Sequence, residues 1–480
     1  MQYDEDYFNS EEFKELLDSY EAAQQAGEQP FMDADDLVDL ADYYNYRGEF
    51  DKADQAIDHA LELFPDSTLP NVYKARQALA ADDDKGAHRY ADAIGDKEDP
   101  DYVYLKAEIL IAERHADEAD RYLRQMAKTV EEDEWEDFIK DCANLFVDYG
   151  INDKAYEWMM RSKGDDSSDF KELMARTLFG LGKYEDSERL FNELIDRNPY
   201  STHYWNALAS VQLMNEDYSN AITSSEYAIA INPENPEGLA YKANGLFRLG
   251  NYEEALEYFR RLNKIVPDDD LALLNIGVCL VNLNRQQEAI PYLENALEMA
   301  EEASETLQQI YLELAFCYSK QHQLAKAQEM IDTAMQLPGD TTDLLVIRGH
   351  LLLENGMAAE AEESFKKAIK QSDMNPAILL RIIVSLYDNR YVQSSYHMFK
   401  KFFQVVNVLD PDFNKGYAYM ALCCYDLKKW DEFMDYLRQS VEQNPREARI
   451  VLGFLFPQGM EPADYVSYME QHLPENEKTK

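Results

Sequence analysis

A chain of 480 residues ordinarily divides into about three domains of roughly 150 residues, unless a repeat architecture lifts the limit on core size. Hydrophobic residues at 46% supply enough apolar surface to fold, and 93 acidic against 46 basic side chains leave a formal charge of -47, which repels nucleic-acid phosphates and anionic lipid heads. Five cysteines, two of them adjacent at Cys423 and Cys424, make no disulfide framework in so long a chain, and a reducing cytoplasm is the expected compartment.

The amino-terminal segment MQYDEDYFNSEEF lacks the basic stretch and apolar run of an export signal, so none is expected. A capping helix is predicted from Ser10 to about Gln25, within residues 1–33. A two-helix unit follows at 34–67, marked by Leu37, Leu40, Ala41, Tyr44, Gly48, Phe50, Ala53, Ala60 and Pro65. Blurred copies come at 68–99, 100–131 and 136–167, around Ala87, Ala119 and Ala155, and complete an acidic array over 34–167. Clear copies fill 168–375. They begin at 168–201 with Gly182, Tyr184, Phe191 and Pro199, and at 202–235 with Trp205, Leu208, Ala209, Tyr218 and Ala221.

The sharpest copy, 236–269, places Leu239, Ala243, Leu246, Gly250, Tyr252, Ala255, Phe259 and Pro267 at repeat positions 4, 8, 11, 15, 17, 20, 24 and 32. Further copies lie at 270–303, 308–339 and 342–375. One near 375–410 is ambiguous by a residue, and the last occupies 414–447. Residues 376–447 thus form a carboxy-terminal array, and 448–480 a cap with a polar tail. The apolar stretch from Ile450 to Phe456 falls far short of the ~20 residues that a membrane span requires.

Within each copy, apolar residues at positions 4, 7 and 11 and again at 20, 24, 27 and 28 have helical spacing, and Gly or Asn near position 15 stops one helix before the next. Small residues at 8 and 20 let the two helices approach, and Pro at 32 ends the second. One hairpin cannot bury its own apolar faces, so copies must stack. This pattern is similar to the tetratricopeptide repeat. The resemblance implies an all-α, right-handed superhelical solenoid of about twelve stacked helix-turn-helix repeats with helical caps.

In that family the ligand lies along the concave face, at positions 2, 5, 9, 12 and 13. Here the amino-terminal third is acidic at those positions, and Asp35, Asp42, Asp101, Glu108, Asp169 and Glu172 form a candidate acidic groove, relieved by Arg76, Lys140 and Arg176. The carboxylates either receive a basic partner segment or keep a large solenoid solvated. From about residue 206 the face turns amide and apolar. The candidate peptide groove there comprises Asn206, Tyr241, Asn244, Phe247, Arg248, Asn275, Asn282 and Phe316. Asparagine amides on successive hairpins suit capture of an extended backbone, because each offers both a donor and an acceptor.

The family's two-carboxylate clamp for chaperone carboxyl termini is matched only at its two asparagines, Asn244 and Asn275. Its three basic positions hold Ala240, Gln309 and Glu313, so docking of that kind is not expected. The cysteines fall at packing positions. No His or Cys pair has metal-ligand spacing, and the glycines sit singly at helix ends rather than in phosphate loops, so no metal, cofactor or nucleotide is expected. The frame leaves no stretch long enough for a catalytic domain. The expected function is a non-catalytic scaffold or adaptor for protein segments, with no nucleic-acid or membrane partner. A self-associating structural protein and a non-catalytic subunit of an enzyme assembly are the alternatives.

Overall fold

The computed structural model describes residues 5–26, 30–301, 306–410, 412–457 and 459–472. Every regular element in these segments is a helix, and within each unit most first and second helices of a copy pack together as hairpins. Contacts divide the chain into two units, Met1–Tyr241 and Lys242–Lys480.

In the first unit the cap helix is Glu11–Ala26, and the first hairpin is Ala34–Tyr46 with Phe50–Leu63. The copies that are blurred in sequence form the same hairpins with shortened second helices, Asp84–Ala93 of 10 residues and Asn152–Met159 of 8. Hairpins Ser168–Gly180 with Tyr184–Arg197 and Thr202–Met214 with Tyr218–Ile231 complete the regular part. In the second unit the ambiguous copy resolves as Pro376–Asp388 with Val392–Leu409. The last hairpin, Tyr417–Asp426 with Trp430–Gln443, is followed by Pro445–Leu452 and Tyr465–His472, and the polar tail from residue 473 lies outside the described residues.

The small-residue positions explain how each hairpin closes. Ala243 and Ala255 are fully buried, as are Ala41 and Ala53 in the first hairpin. At the equivalent position in Thr342–Glu354, a Cβ on Gly349 would lie 2.2 Å from the Phe365 ring, so the backbone itself forms the packing surface. The turn at Gly250 needs a left-handed residue (φ +82°) to let the Asn251 N–H reach the Leu246 carbonyl at 2.9 Å. All five cysteines are free and buried, and desolvation pushes the thiols of Cys279, Cys317 and Cys424 up to about 12.

Candidate functional site

Two inner helices of the first unit, together with the start of a third up to Tyr241, shape a groove. Ser168–Gly180 starts at Ser167, whose hydroxyl accepts the Phe170 N–H, and Thr202–Met214 starts at Ser201, whose hydroxyl accepts the Tyr204 N–H. The next inner helix, Pro236–Arg248, starts at Asn235, whose Oδ1 accepts the Gly238 N–H at 2.7 Å. The stacked helices leave a cavity of about 500 Å³ between Val147 and Tyr241. Phe179, Phe191, Ala207 and Val211 supply apolar walls, and Arg176, His203, Asn206 and Glu237 supply polar ones.

Asn206 is 8% exposed, and its amide is committed on one side only. Its Nδ2 donates to Asn235 Oδ1 at 2.9 Å and to Glu237 Oε2 at 3.3 Å, which ties the cap of the following helix to its own. Those two acceptors fix which end of the amide is nitrogen. Its Oδ1 is buried and accepts no hydrogen bond among the described residues. An unmade hydrogen bond at a buried acceptor costs about 1–3 kcal/mol, so this oxygen favours any ligand that brings a donor. At the same cavity, His203 Nε2 lies 2.8 Å from Glu172 Oε1. The carboxylate holds the His203 pKa above its ordinary value, and the imidazolium in turn holds Glu172 below its own. Arg176 reaches Asp148 at 3.4 Å and stays exposed.

Two of the residues assigned to the peptide groove, Asn206 and Tyr241, therefore line one cavity, and Glu172 from the acidic set is bonded to a residue of its wall. The other groove residues lie in the second unit. There Asn282 Nδ2 donates to its own helix at Val278 O (2.9 Å), Phe247 packs edge-on against Tyr252, and Phe316 sits 5.0 Å from the Lys320 ammonium. Asn244 and Asn275 are half-buried and Arg248 is exposed. The acidic residues are spread over several inner helices. Arg76 Nε donates to Glu108 at 2.8 Å, and burial raises the pKa of both Asp42 and Asp101. Asp35 and Asp169 are exposed.

Sequence reading passed over His203, Ser210 and Glu237, although the frame puts them at positions 2 and 9 of the 202–235 copy and position 2 of the 236–269 copy. Position alone would have found them. Among the described residues no three His, Cys, Asp or Glu side chains converge on a possible metal site, and no helix is long and apolar enough to cross a membrane.

A tetratricopeptide-repeat model matches residues 173–236, across the hairpins that build this cavity, and a model of the tetratricopeptide repeat protein 21 amino-terminal repeats matches 214–434. The chain is a tetratricopeptide-repeat protein. TPR repeat-containing protein MJ1428 of Methanocaldococcus jannaschii is 19% identical over 408 residues, covering 78% of this chain and 70% of its own. Protein O-mannosyl-transferase TMTC3 of Mus musculus is 26% identical over 184 residues, covering 36% of this chain. The matched segment spans only 20% of that transferase, and 28% of the BBSome complex member BBS4 of Bos taurus, which is 26% identical over 150 residues. Among solved structures, yeast Tom70 aligns over 91% of this chain and 96% of its own, with a TM-score of 0.43 and 14% identity.

Within the repeat frame, the clamp position held by Glu313 gains a physical description. Its carboxyl is desolvated, which pushes its pKa up to about 7, and it pairs with no cation among the described residues.

Proposed function

We propose that this tetratricopeptide-repeat protein is a non-catalytic scaffold that holds an extended segment of a partner polypeptide in the inner groove at Asn206 and Tyr241. The observation that carries this reading is the buried Asn206 Oδ1, left without a donor beside a cavity of about 500 Å³. A backbone N–H of the partner would supply the missing donor, while one of its apolar side chains would cover Phe179 and Val211. The fixed His203–Glu172 pair and Arg176 add polar contacts at the same cavity. Asn275, half-buried in the second unit, is proposed for the same kind of amide contact. For the acidic set, exposed Asp35 and Asp169 suit solvation or steering of a basic segment rather than a shaped site. A reducing, cytoplasmic compartment is consistent with five free thiols.

The test is to select binders from a random-peptide library on the full chain and to measure each on Asn206→Leu and Tyr241→Ala. Both variants should bind at least tenfold more weakly, which is about 1.4 kcal/mol, while keeping the wild-type helical signal. Selected peptides that bind both variants with undiminished affinity would place recognition outside this groove.

A second reading, self-association, is favoured by one observation. Ile450, near the end of Pro445–Leu452, and Phe454, in the short 3-10 turn that follows it, are 73% and 72% exposed, where a solenoid end ordinarily presents a polar face. Sedimentation velocity should then show concentration-dependent association that Ile450→Glu removes; a concentration-independent monomer rules this reading out.

A further inference from the structure

The second unit contains a cavity that neither the groove at Asn206 nor the acidic face uses. It lies among the inner helices Thr342–Glu354, Pro376–Asp388 and Tyr417–Asp426 and measures about 310 Å³, ample room for a long side chain. Val346, Ile347, Leu380 and Val384 make its walls apolar. Its polar groups are His350, Arg381, Ser385, Asp388 and Tyr419.

These polar groups differ in what they have left to offer. Arg381 is ion-paired with Asp343 and is spent. His350 Nδ1 lies 3.0 Å from Ser385 Oγ and 3.4 Å from Asn389 Nδ2. An amide nitrogen can only donate, so Nδ1 is the acceptor of the ring and the imidazole proton sits on Nε2. Asn389 is held in that role, because its Nδ2 also donates to Ser385 O at 2.9 Å. Asp388 and Tyr419 line the same cavity, and burial first, then the Asp388 and Glu447 carboxylates, raise the phenol's pKa. Neither the Asp388 carboxylate nor the Tyr419 hydroxyl has a hydrogen-bond or ion-pair partner among the described residues.

We propose that this cavity is a binding site for the side chain of a lysine carried by a partner polypeptide. Its four methylenes would run along Val346, Ile347, Leu380 and Val384, and its ammonium would donate to Asp388 and Tyr419. A carboxylate ligand would meet Asp388 head-on, and an uncharged apolar one would strip water from Asp388 without replacing it. The occupant is therefore cationic, and the formal charge of -47 draws such partners to the chain from a distance.

The charges facing His350 set how the site responds to pH. Glu354 and Asp388 act to raise its pKa and Lys320 to lower it, and Lys320 is ion-paired with Glu354. Burial dominates and holds His350 below its ordinary value, so the ring is neutral above about pH 6.5. Acidification charges His350 beside the ammonium. It also protonates Asp388, whose pKa burial raises and His350 and Arg390 lower. Both changes oppose a cation, so lysine binding weakens as pH falls.

The experiment uses the full chain labelled with ¹³C at histidine, at about 0.3 M salt to screen non-specific attraction. Capped lysine (Nα-acetyl-lysine methylamide) is titrated while the His350 ring signal, assigned by its loss in His350→Gln, is followed. The expected result is a saturable shift at pH 7.5 that weakens at least threefold at pH 5.5. Capped norleucine should produce no such shift. Asp388→Asn should weaken lysine binding at least tenfold, and Asp412→Asn, which removes an exposed charge elsewhere in the unit, should leave it unchanged. The proposal is overturned if His350 does not respond to capped lysine, if norleucine shifts it equally, or if Asp412→Asn weakens binding as much as Asp388→Asn does.

Discussion

Trp158→Ala should destabilise the Met1–Tyr241 unit by about 4 kcal/mol, the largest effect expected of any single truncation in this half of the chain. Trp158 is fully buried, stands edge-on to Phe138 with ring centroids 6.0 Å apart, and carries the Arg161 guanidinium 4.0 Å from its ring centroid. Its indole N–H donates to Asp120 Oδ1 at 3.1 Å, and Asp120, only 7% exposed, uses its other oxygen to accept from Arg124 at 2.7 Å. Truncation removes the ring and leaves a buried carboxylate oxygen without its donor, two costs that add. Trp158→Phe separates them, because it keeps most of the packing and loses only the N–H, and should cost about 1–3 kcal/mol. Urea unfolding gives the totals, and hydrogen exchange gives their place. Protection should fall first over Pro100–Ala112 and Trp135–Asp148. A loss below 1 kcal/mol for Trp158→Ala would mean that this hairpin is not packed around the indole.

Trp158 also explains why its copy is blurred in sequence. It stands at position 23 of 136–167, one place before the aromatic of the regular frame, on a second helix of only 8 residues. The hairpins were legible because helix spacing and turn residues are local properties, whereas a one-residue slip is resolved only by what the side chain touches. The copy near 375–410 was ambiguous for a related reason: Val392–Leu409 runs 18 residues where most second helices have 14 or fewer, so its end carries no signal in the frame.

The site was less legible than the fold, because the free valence of a polar side chain is decided about one repeat away. Asn206 was found from its position, yet whether it offers a donor, an acceptor or nothing depends on Asn235 and Glu237. Asn282, equally well placed, spends its Nδ2 on its own helix. The same holds for charge. Glu108 and Asp101 read alike as acidic concave residues, but Arg76 reaches across from the preceding hairpin to pair with Glu108. His203 and His350 both occupy concave positions and have opposite pKa shifts, raised by a carboxylate in one case and lowered by burial in the other. No count of histidines in a sequence distinguishes those two environments.

Glu313→Gln should stabilise the protein at pH 8 and leave it unchanged at pH 4. Burial raises the Glu313 pKa from 4.5 to about 7, with no cation among the described residues to offset it. The unfolded chain therefore releases this proton near pH 4.5, whereas the folded chain keeps it to about 7. Stability contributed by the protonated carboxyl is full below pH 4.5, declines as pH rises through that interval, and is lost above about 7. The shift corresponds to about 3 kcal/mol. Glu313 retains some exposure, so solvent screening reduces the expected gain for glutamine at pH 8 to about 2 kcal/mol. Glutamine keeps the shape and the acceptor but cannot ionise, so the variant's stability should be flat over this window apart from the other groups. Urea midpoints at pH 4, 6 and 8 for the two proteins give the difference directly. Equal stability at pH 8 would mean that the carboxyl is solvated. A gap that opens between pH 5 and 8 would show a groove that resists a second negative charge at this point, which is the physical reason a carboxylate-terminated ligand is disfavoured here.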